Sequence, residues 1–350
     1  MTDGADLADN RSMVSAPLEV GLMTLGDLLA DPTSGHRQTE GERHRHIVDQ
    51  AVQAERLGFT AVHIGEHHFS NYIVSAPPVV LSAIGARTTT LTLSTAVTLA
   101  GNLDPVRVAE DYATVDVLSG GRVEIVAGRG NLFVDTYAGF GHPVETARQR
   151  YDESVTLLSR LLREEDVFWE GTFRTPLTGH TTRPRPEGEL PLWIGAGSPD
   201  SARLAAEVGG RLMLPTVFGT PEMFSPLVDI YRERWAELGH PEDRAIVGAC
   251  SHTHVSAHAP QDWEIYYRTY WDFVGTLLAD GFWPSFDFEK LLAGPGICGT
   301  PSEVTDRIAT LRETLQLDRH LFMFDLGGMA PGLVTDTIEL FGAEVMPHLG

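Results

Sequence analysis

The chain has 350 residues and a formal net charge of −22. Such acidity excludes a surface built to wrap a phosphate backbone or to lie on an anionic membrane, and no apolar run approaches the ~18 residues that a membrane span needs. The two cysteines, Cys250 and Cys298, are far apart and outside any CxxC spacing, which excludes a disulfide framework and a thiolate zinc site and fits a reducing, cytoplasmic compartment.

Residues 1–17 are polar and acidic and read as a tail, leaving 18–350 as one domain. Apolar runs of strand length fall at Val20 to Thr24, Ala61 to Gly65, Leu91 to Ala96, Val123 to Ala127, Leu192 to Ala196, Leu212 to Val217, Ile246 to Val255 and His320 to Asp325. Helical patterns follow at Gly41 to Leu57, Pro77 to Arg87, Pro105 to Leu118, Thr146 to Leu162, Asp200 to Val208, Pro221 to Leu238, Pro301 to Leu315 and Leu333 to Glu344. Eight strand-then-helix repeats predict an α/β fold whose parallel sheet closes into a TIM barrel. Two connections are too long for simple turns: Glu165 to Glu189, expected as a hairpin-like excursion before strand five, and Ala257 to Gly299 after strand seven, with an extra helix and the aromatics Phe282, Trp283 and Phe286.

In such a barrel the chemistry sits at the C-terminal ends of the strands. Glu66, His67 and His68 end the second strand, and His67 is the leading catalytic candidate, since an imidazole holds or transfers a proton near neutral pH and the adjoining Glu66 could orient or charge it. A metal site on this triplet is disfavoured, because adjacent strand residues face opposite ways and no HExxH set completes a shell. Arg129, between Gly128 and Gly130 at the end of strand four, suits a phosphate or flavin edge, the alternative being an ion pair with Glu110. The turn from Gly195 to Ser201 opens a helix whose N-terminus can hold an anion, although Asp200 could equally be only a cap. On strand seven, His252 and His254 share a side by alternation; His254 either faces substrate or packs within the barrel. No pair of carboxylates stands at strand ends as glycoside hydrolysis requires, and no Gly-x-Gly-x-x-Gly unit follows a strand, so a built-in nicotinamide domain is not expected.

EHHF after one strand, PVR-x-AED opening a helix, LSGGR closing it, GRG after the next strand, then PLWIGAGSPDSARLAAEVG, GTPSEVTDRIATL and VMPHL occur in order. In this series the chain resembles the bacterial luciferase-like family of flavin-dependent monooxygenases. The resemblance implies that reduced FMN and dioxygen form a flavin peroxide at carbon 4a, which attacks a small organic substrate, with a separate flavin reductase supplying the reduced cofactor. It implies a catalytic role for His67, with Glu66 expected to assist it as the adjoining residue. Cofactor contacts are implied at Ala96 and Val97, where the family has a non-prolyl cis peptide, and at Glu110, Arg129, Gly130, Asp135, Gly197, Ser198 and Ser201. Substrate contacts are expected at His254 and Trp283, the loop after strand seven serving either as a lid or as a satellite aromatic cluster or subunit contact. A homodimer is expected through the early helices, on which Ile84, Val106, Val108 and Val115 are apolar. The luciferase catalytic subunit has an acidic residue at the position of Gly197 and a reactive cysteine at that of Gly128, departures that argue against light emission. Two rivals remain: a deazaflavin-dependent hydride-transferring barrel, and a noncatalytic flavin-binding subunit, the latter disfavoured because His67 is retained.

Overall fold

The computed structural model describes residues 17–130, 133–256, 261–278 and 283–350. The expected tail, apart from Pro17, and the candidate Phe282 lie outside the described residues. In chain order the elements are β1 (Glu19–Thr24), α1 (Glu40–Leu57), β2 (Ala61–Ile64), α2 (Pro77–Gly85), β3 (Thr92–Thr95), β4 (Thr98–Leu99), α3 (Pro105–Ser119), β5 (Ile125–Gly128), α4 (Val134–Gly139) and α5 (Ala147–Arg163). Next come β6 (Val167–Trp169), β7 (Leu177–His180), β8 (Leu192–Gly195), α6 (Pro199–Glu207), β9 (Arg211–Leu214), α7 (Pro221–Glu237) and β10 (Val247–Val255). The chain closes with α8 (Gln261–Thr276), α9 (Phe288–Ala293), β11 (Gly296–Gly299), α10 (Pro301–Leu315), β12 (Arg319–Met323) and α11 (Pro331–Glu344).

The barrel strands pair in parallel in the order β3, β2, β1, β12, β10, β9, β8, β5, β4. The ring closes because β3 and β4 are two halves of one barrel strand: β3 pairs with β2, β4 pairs with β5, and Leu93 bridges to Val123. Strand three, expected from Leu91 to Ala96, runs as β3 from Thr92 to Thr95; the cis peptide between Ala96 and Val97 follows it, and the strand resumes as β4 at Thr98 and Leu99. The strands are short apolar runs buried along nearly their whole length, as a sheet covered by side chains within and helices without requires. Local signals set the helix boundaries. Thr39 with Glu42, and Thr300 with Glu303, form capping boxes at the starts of α1 and α10, and α1 stops at Gly58, whose φ of 91° is the left-handed conformation that glycine adopts without strain.

The N-terminal end of the barrel is plugged by a buried ionic network that no sequence motif announces. Glu124 accepts from Arg319, from Arg211 at 2.9 Å and from the Trp193 indole at 2.9 Å, and the Arg319 guanidinium lies 4.7 Å from the Trp193 ring. With that end filled, open space is left toward the opposite mouth. The excursion before β8 is the antiparallel pair β6 and β7, as expected. The insertion after β10 lays α8 over the barrel mouth, where its aromatic residues pack on the end of β10.

Candidate active site

A cavity of about 220 Å³ opens at the C-terminal ends of the strands. Its walls are mostly apolar: Met23 and Leu25 from β1 and its loop, Leu214 and Val217 at the end of β9, and Tyr270 and Val274 from α8. Glu66, His67, Ala96, Val97 and Gly130 also line it, so five of the residues singled out from sequence meet in one place.

His67 lies three residues beyond β2, its backbone N–H held by the Val74 carbonyl at 2.9 Å. The imidazole stacks on Tyr72 with 4.0 Å between centroids and meets Phe133 at 5.4 Å. Tyr72 is itself fixed by donating to the Tyr270 hydroxyl at 3.0 Å. Nδ1 of His67 is buried with no hydrogen-bond partner. Burial first, and the neighbouring His68 second, push the His67 pKa down to about 3, so the ring is neutral at physiological pH. A neutral imidazole presents one donor and one acceptor, which suits it to pass a proton without keeping a charge.

Glu66 does not orient His67. One carboxylate oxygen accepts from Nε2 of His68 at 2.9 Å and the other from the Leu99 backbone N–H at 3.0 Å. The strand has ended before the triplet, so strand alternation no longer governs these side chains, and Glu66 ties the β2 end to β4 instead. It fixes the segment that carries Ala96 and Val97. The cis peptide expected at that pair is present, and Gly128 makes room for it: a Cβ there would overlap the Val97 side chain. That packing is a structural reason for glycine at this position. Gly130 has φ of 66° and no room for a Cβ, which would come within 2.6 Å of Leu99.

Arg129 is half-buried and its guanidinium makes no hydrogen bond or ion pair with a described residue, so the Glu110 alternative does not hold. Glu110 lies on α3 beside Arg107 at 3.8 Å, away from the cavity. Asp135 is exposed on α4. Because β5 pairs with β8, the turn at Arg129 adjoins the one at Gly197. There Ser198, not Asp200, caps α6: the Ser198 hydroxyl accepts from the Ser201 N–H, and the Ser201 hydroxyl accepts from the Ser198 N–H at 3.1 Å. Asp200 sits in the first turn and pairs with Arg148 of α5 at 2.8 Å. Arg148 also approaches Asp152, 3.7 Å away, a carboxylate that feels the charge of Arg129 as well. Sequence reasoning missed Arg148, since nothing in an exposed helical arginine shows that it will stand over the start of another helix. Gly197 and Ser198 are exposed there and Ser201 is half-buried, near the cavity but not lining it.

Neither expected substrate contact reaches the cavity wall. His254 is buried, stacks with Trp263 at 5.9 Å and shares a hydrogen bond with the Thr337 hydroxyl at 3.3 Å, because α8 covers the end of β10. Trp283 packs on Trp271 at 4.3 Å between centroids, tilted by 38°, and meets Phe218 of the cavity wall edge-on at 5.8 Å. Phe286 packs with Phe288 and under Arg268. The insertion therefore walls the cavity through Tyr270 and Val274, while Trp283 and Phe286 belong to a cluster behind them. Cys250 does line the cavity, but burial raises its thiol to about 11, so it is not a ready nucleophile. Among the described residues no group of three or more His, Cys, Asp or Glu side chains could hold a metal ion, and no helix is long and apolar enough to cross a membrane.

These features define a β/α-barrel enzyme with its working cavity at the strand C-termini. The chain belongs to the luciferase-like monooxygenase family, whose model matches residues 18–317. Over 95% of this chain and 100% of the other, the fold superposes on the monooxygenase RslO1 from Streptomyces bottropensis with a TM-score of 0.84 and 26% identity. The oxygenase component of a flavin-dependent trigonelline monooxygenase from Acinetobacter baylyi is 22% identical over 338 residues, 89% of this chain and 91% of that protein. An F420-dependent glucose-6-phosphate dehydrogenase from Microbacterium testaceum is 29% identical over 233 residues, 64% of this chain and 68% of that one. Against another curated relative, the uncharacterized protein y4wF of Sinorhizobium fredii, the chain is 33% identical but spans only 55% of that protein's length.

Proposed function

We propose that the protein is a monooxygenase that uses reduced FMN and dioxygen on a small organic substrate. The observation that carries this reading is the convergence at one mouth of a neutral, incompletely hydrogen-bonded His67, an apolar cavity and, beside the start of α6, Arg129, which no described residue pairs. These residues fit the cofactor. Arg129 has donors to spare for a phosphate, Arg148 and the α6 N-terminus add positive potential, and the glycines at 128 and 130 let the backbone with Val97 approach a flat ring. When bound, reduced flavin supplies the electrons that activate dioxygen. The chain's own part is to hold the phosphate with Arg129 and Arg148, to support the ring on Ala96 and Val97, and to keep bulk water out with the apolar wall. His67 holds or moves the proton, its ring lining the cavity and its Nδ1 having no hydrogen-bond partner among the described residues. Glu66 positions the β4 segment and does not enter the proton path. The curated F420-dependent relatives support a second reading, hydride transfer with a deazaflavin in the same cavity.

Replacing Arg129 with alanine is expected to weaken reduced-FMN binding by about 1.5 to 3 kcal/mol, the range for a charged hydrogen-bonded contact. Anaerobic fluorescence titration measures it, and affinity equal to wild type would remove the phosphate assignment. The oxygenase-component name of the trigonelline relative supports a separate reductase as the source of reduced flavin.

The protein is further inferred to be a homodimer, although not for the reason its sequence offers. Ile84, Val108 and Val115 are buried within the subunit and Val106 is partly so, because α2 and α3 use them against the barrel. The large apolar side chains left exposed on these two helices are Val79, Val117 and Leu118, at 69%, 39% and 73%. Light scattering at micromolar concentration is expected to give the dimer mass, and Leu118→Glu to shift it toward the monomer. A monomer mass for the unaltered chain would refute the dimer.

A further inference from the structure

The charge of its wall decides what can enter the active-site cavity. Among the described residues no arginine or lysine lines it, and the internal segments outside them, 131–132, 257–260 and 279–282, contain neither. Glu66 is the one acidic side chain on the wall, and its two oxygens are taken up by Nε2 of His68 and the Leu99 N–H. The Tyr72 hydroxyl donates to that of Tyr270, and the Cys250 thiol donates to the Leu214 carbonyl at 3.5 Å. His67 is neutral, and the remaining polar side chain, Thr136, carries no charge. The rest of the wall is hydrocarbon, with the rings of Phe133 and Phe218 added to those of Tyr72 and Tyr270.

Cations behind or beside the wall are spent. Arg43 is buried against Asp325 at 2.7 Å, and Arg268 and Lys290 of the insertion pair with Glu264 and Asp287 at 3.1 and 3.2 Å. Arg129 and Arg148 stand outside the wall, toward the start of α6. An acid group brought into the cavity would lose its hydration with no counter-charge to replace it. It would first have to approach a chain of net charge −22, whose field opposes it. We infer that the cavity selects an uncharged, mostly apolar substrate and rejects carboxylates, sulfonates and phosphate esters of the same shape. This selection rests on the cavity being the place of reaction, and it holds whichever flavin serves there.

Acetophenone and benzoate have nearly the same shape and differ in charge, so calorimetric titration of the full chain with each at pH 7.5 reads the selection directly. Acetophenone is expected to bind saturably, and benzoate about tenfold more weakly or worse. Phe218, half-buried on the wall, is the place to reverse the preference. In Phe218→Arg, benzoate should gain about tenfold or more over the unaltered chain, with the circular-dichroism spectrum unchanged. If Phe218→Arg does not fold, the ratio in the unaltered chain decides alone. Benzoate binding within tenfold of acetophenone overturns the selection, as does absence of saturable acetophenone binding. So does a folded Phe218→Arg protein whose benzoate affinity has not moved, since the probes would then sit elsewhere. Repeating the titrations anaerobically with reduced FMN separates this claim from the cofactor assignment. A chain that binds reduced FMN but takes benzoate as tightly as acetophenone loses the selection and keeps the flavin reading. One that prefers acetophenone but binds no reduced FMN keeps the selection and loses the flavin reading. Acetophenone displaced by reduced FMN would put the probe in the cofactor's own place and overturn the substrate assignment.

Discussion

Lowering the pH from 7.5 toward 5 is expected to unfold the chain. Four histidines are buried and His67, in the cavity wall, is partly so, all with depressed pKa values: His63, His67, His252 and His320 to about 3 and His254 to about 4, each chiefly because desolvation penalises the charged ring. The sign follows from the ordinary histidine value near 6.5. Above it neither state is charged and the folded state bears no penalty. As pH falls below it, the unfolded chain takes up protons that the folded chain refuses, and each ring costs up to ~1.4 kcal/mol of stability per pH unit until its folded pKa is reached. Asp27 works the other way. Burial raises it to about 6, so between that value and the ordinary carboxyl value it binds its proton more readily in the folded state, which offsets about one histidine. The remaining four amount to at most ~5 to 6 kcal/mol per pH unit against a total stability of ~5 to 15 kcal/mol. Urea midpoints measured in steps between pH 7.5 and 5 should fall steeply below 6.5; a midpoint that stays level to pH 5 would mean that these rings are not buried and neutral.

His67→Ala is expected to leave the barrel folded and flavin affinity near normal while reducing substrate-coupled turnover on the order of 10² to 10⁴, the usual range for a positioned acid or base. The ring's contacts are stacking on Tyr72 and proximity to Phe133, not a hydrogen-bond network, so its removal trims the cavity wall without stranding a partner. A merely packed histidine would show the opposite split, with a lower melting temperature and an unchanged rate per folded molecule. Oxygen uptake and thermal melting on one preparation separate the two, and full turnover from a stably folded variant would end the catalytic assignment. The acid experiment bears on this one too, since removing His67 deletes one of the five rings and should make the fall in stability with pH slightly shallower.

The eight barrel strands were legible because each is a short apolar run between breakers, and the helices because caps such as Thr39 with Glu42 and prolines at first turns mark their starts. What escaped depends on contacts between distant segments. Glu124 and Arg319 are 195 residues apart and meet only once the barrel closes. Arg148 reaches Asp200 only because β5 and β8 are neighbours, so that their following helices, α5 and α6, stand side by side. Glu66 was expected to orient His67 because the two adjoin in sequence, whereas the loop after β2 turns its carboxylate toward His68 and the Leu99 N–H. Alternation along β10 left His254 either facing substrate or packed within the barrel, and the covering helix α8 holds it packed. Trp283 was expected to touch substrate and instead packs behind the wall, while the residues of the insertion that reach the cavity, Tyr270 and Val274, lie on a helix whose inward side could not be chosen without knowing where it docks.

The central claim is tested most directly by rapidly mixing the chain, loaded anaerobically with reduced FMN, with dissolved oxygen and following the flavin absorbance. Reoxidation is predicted to follow a time course unlike that of free reduced FMN, to saturate with protein concentration and to revert toward the free-flavin course in Arg129→Ala. A time course identical to that of free reduced FMN at every protein concentration, from a chain that under the same conditions binds a reduced deazaflavin, would contradict the monooxygenase reading and leave the hydride-transfer one standing.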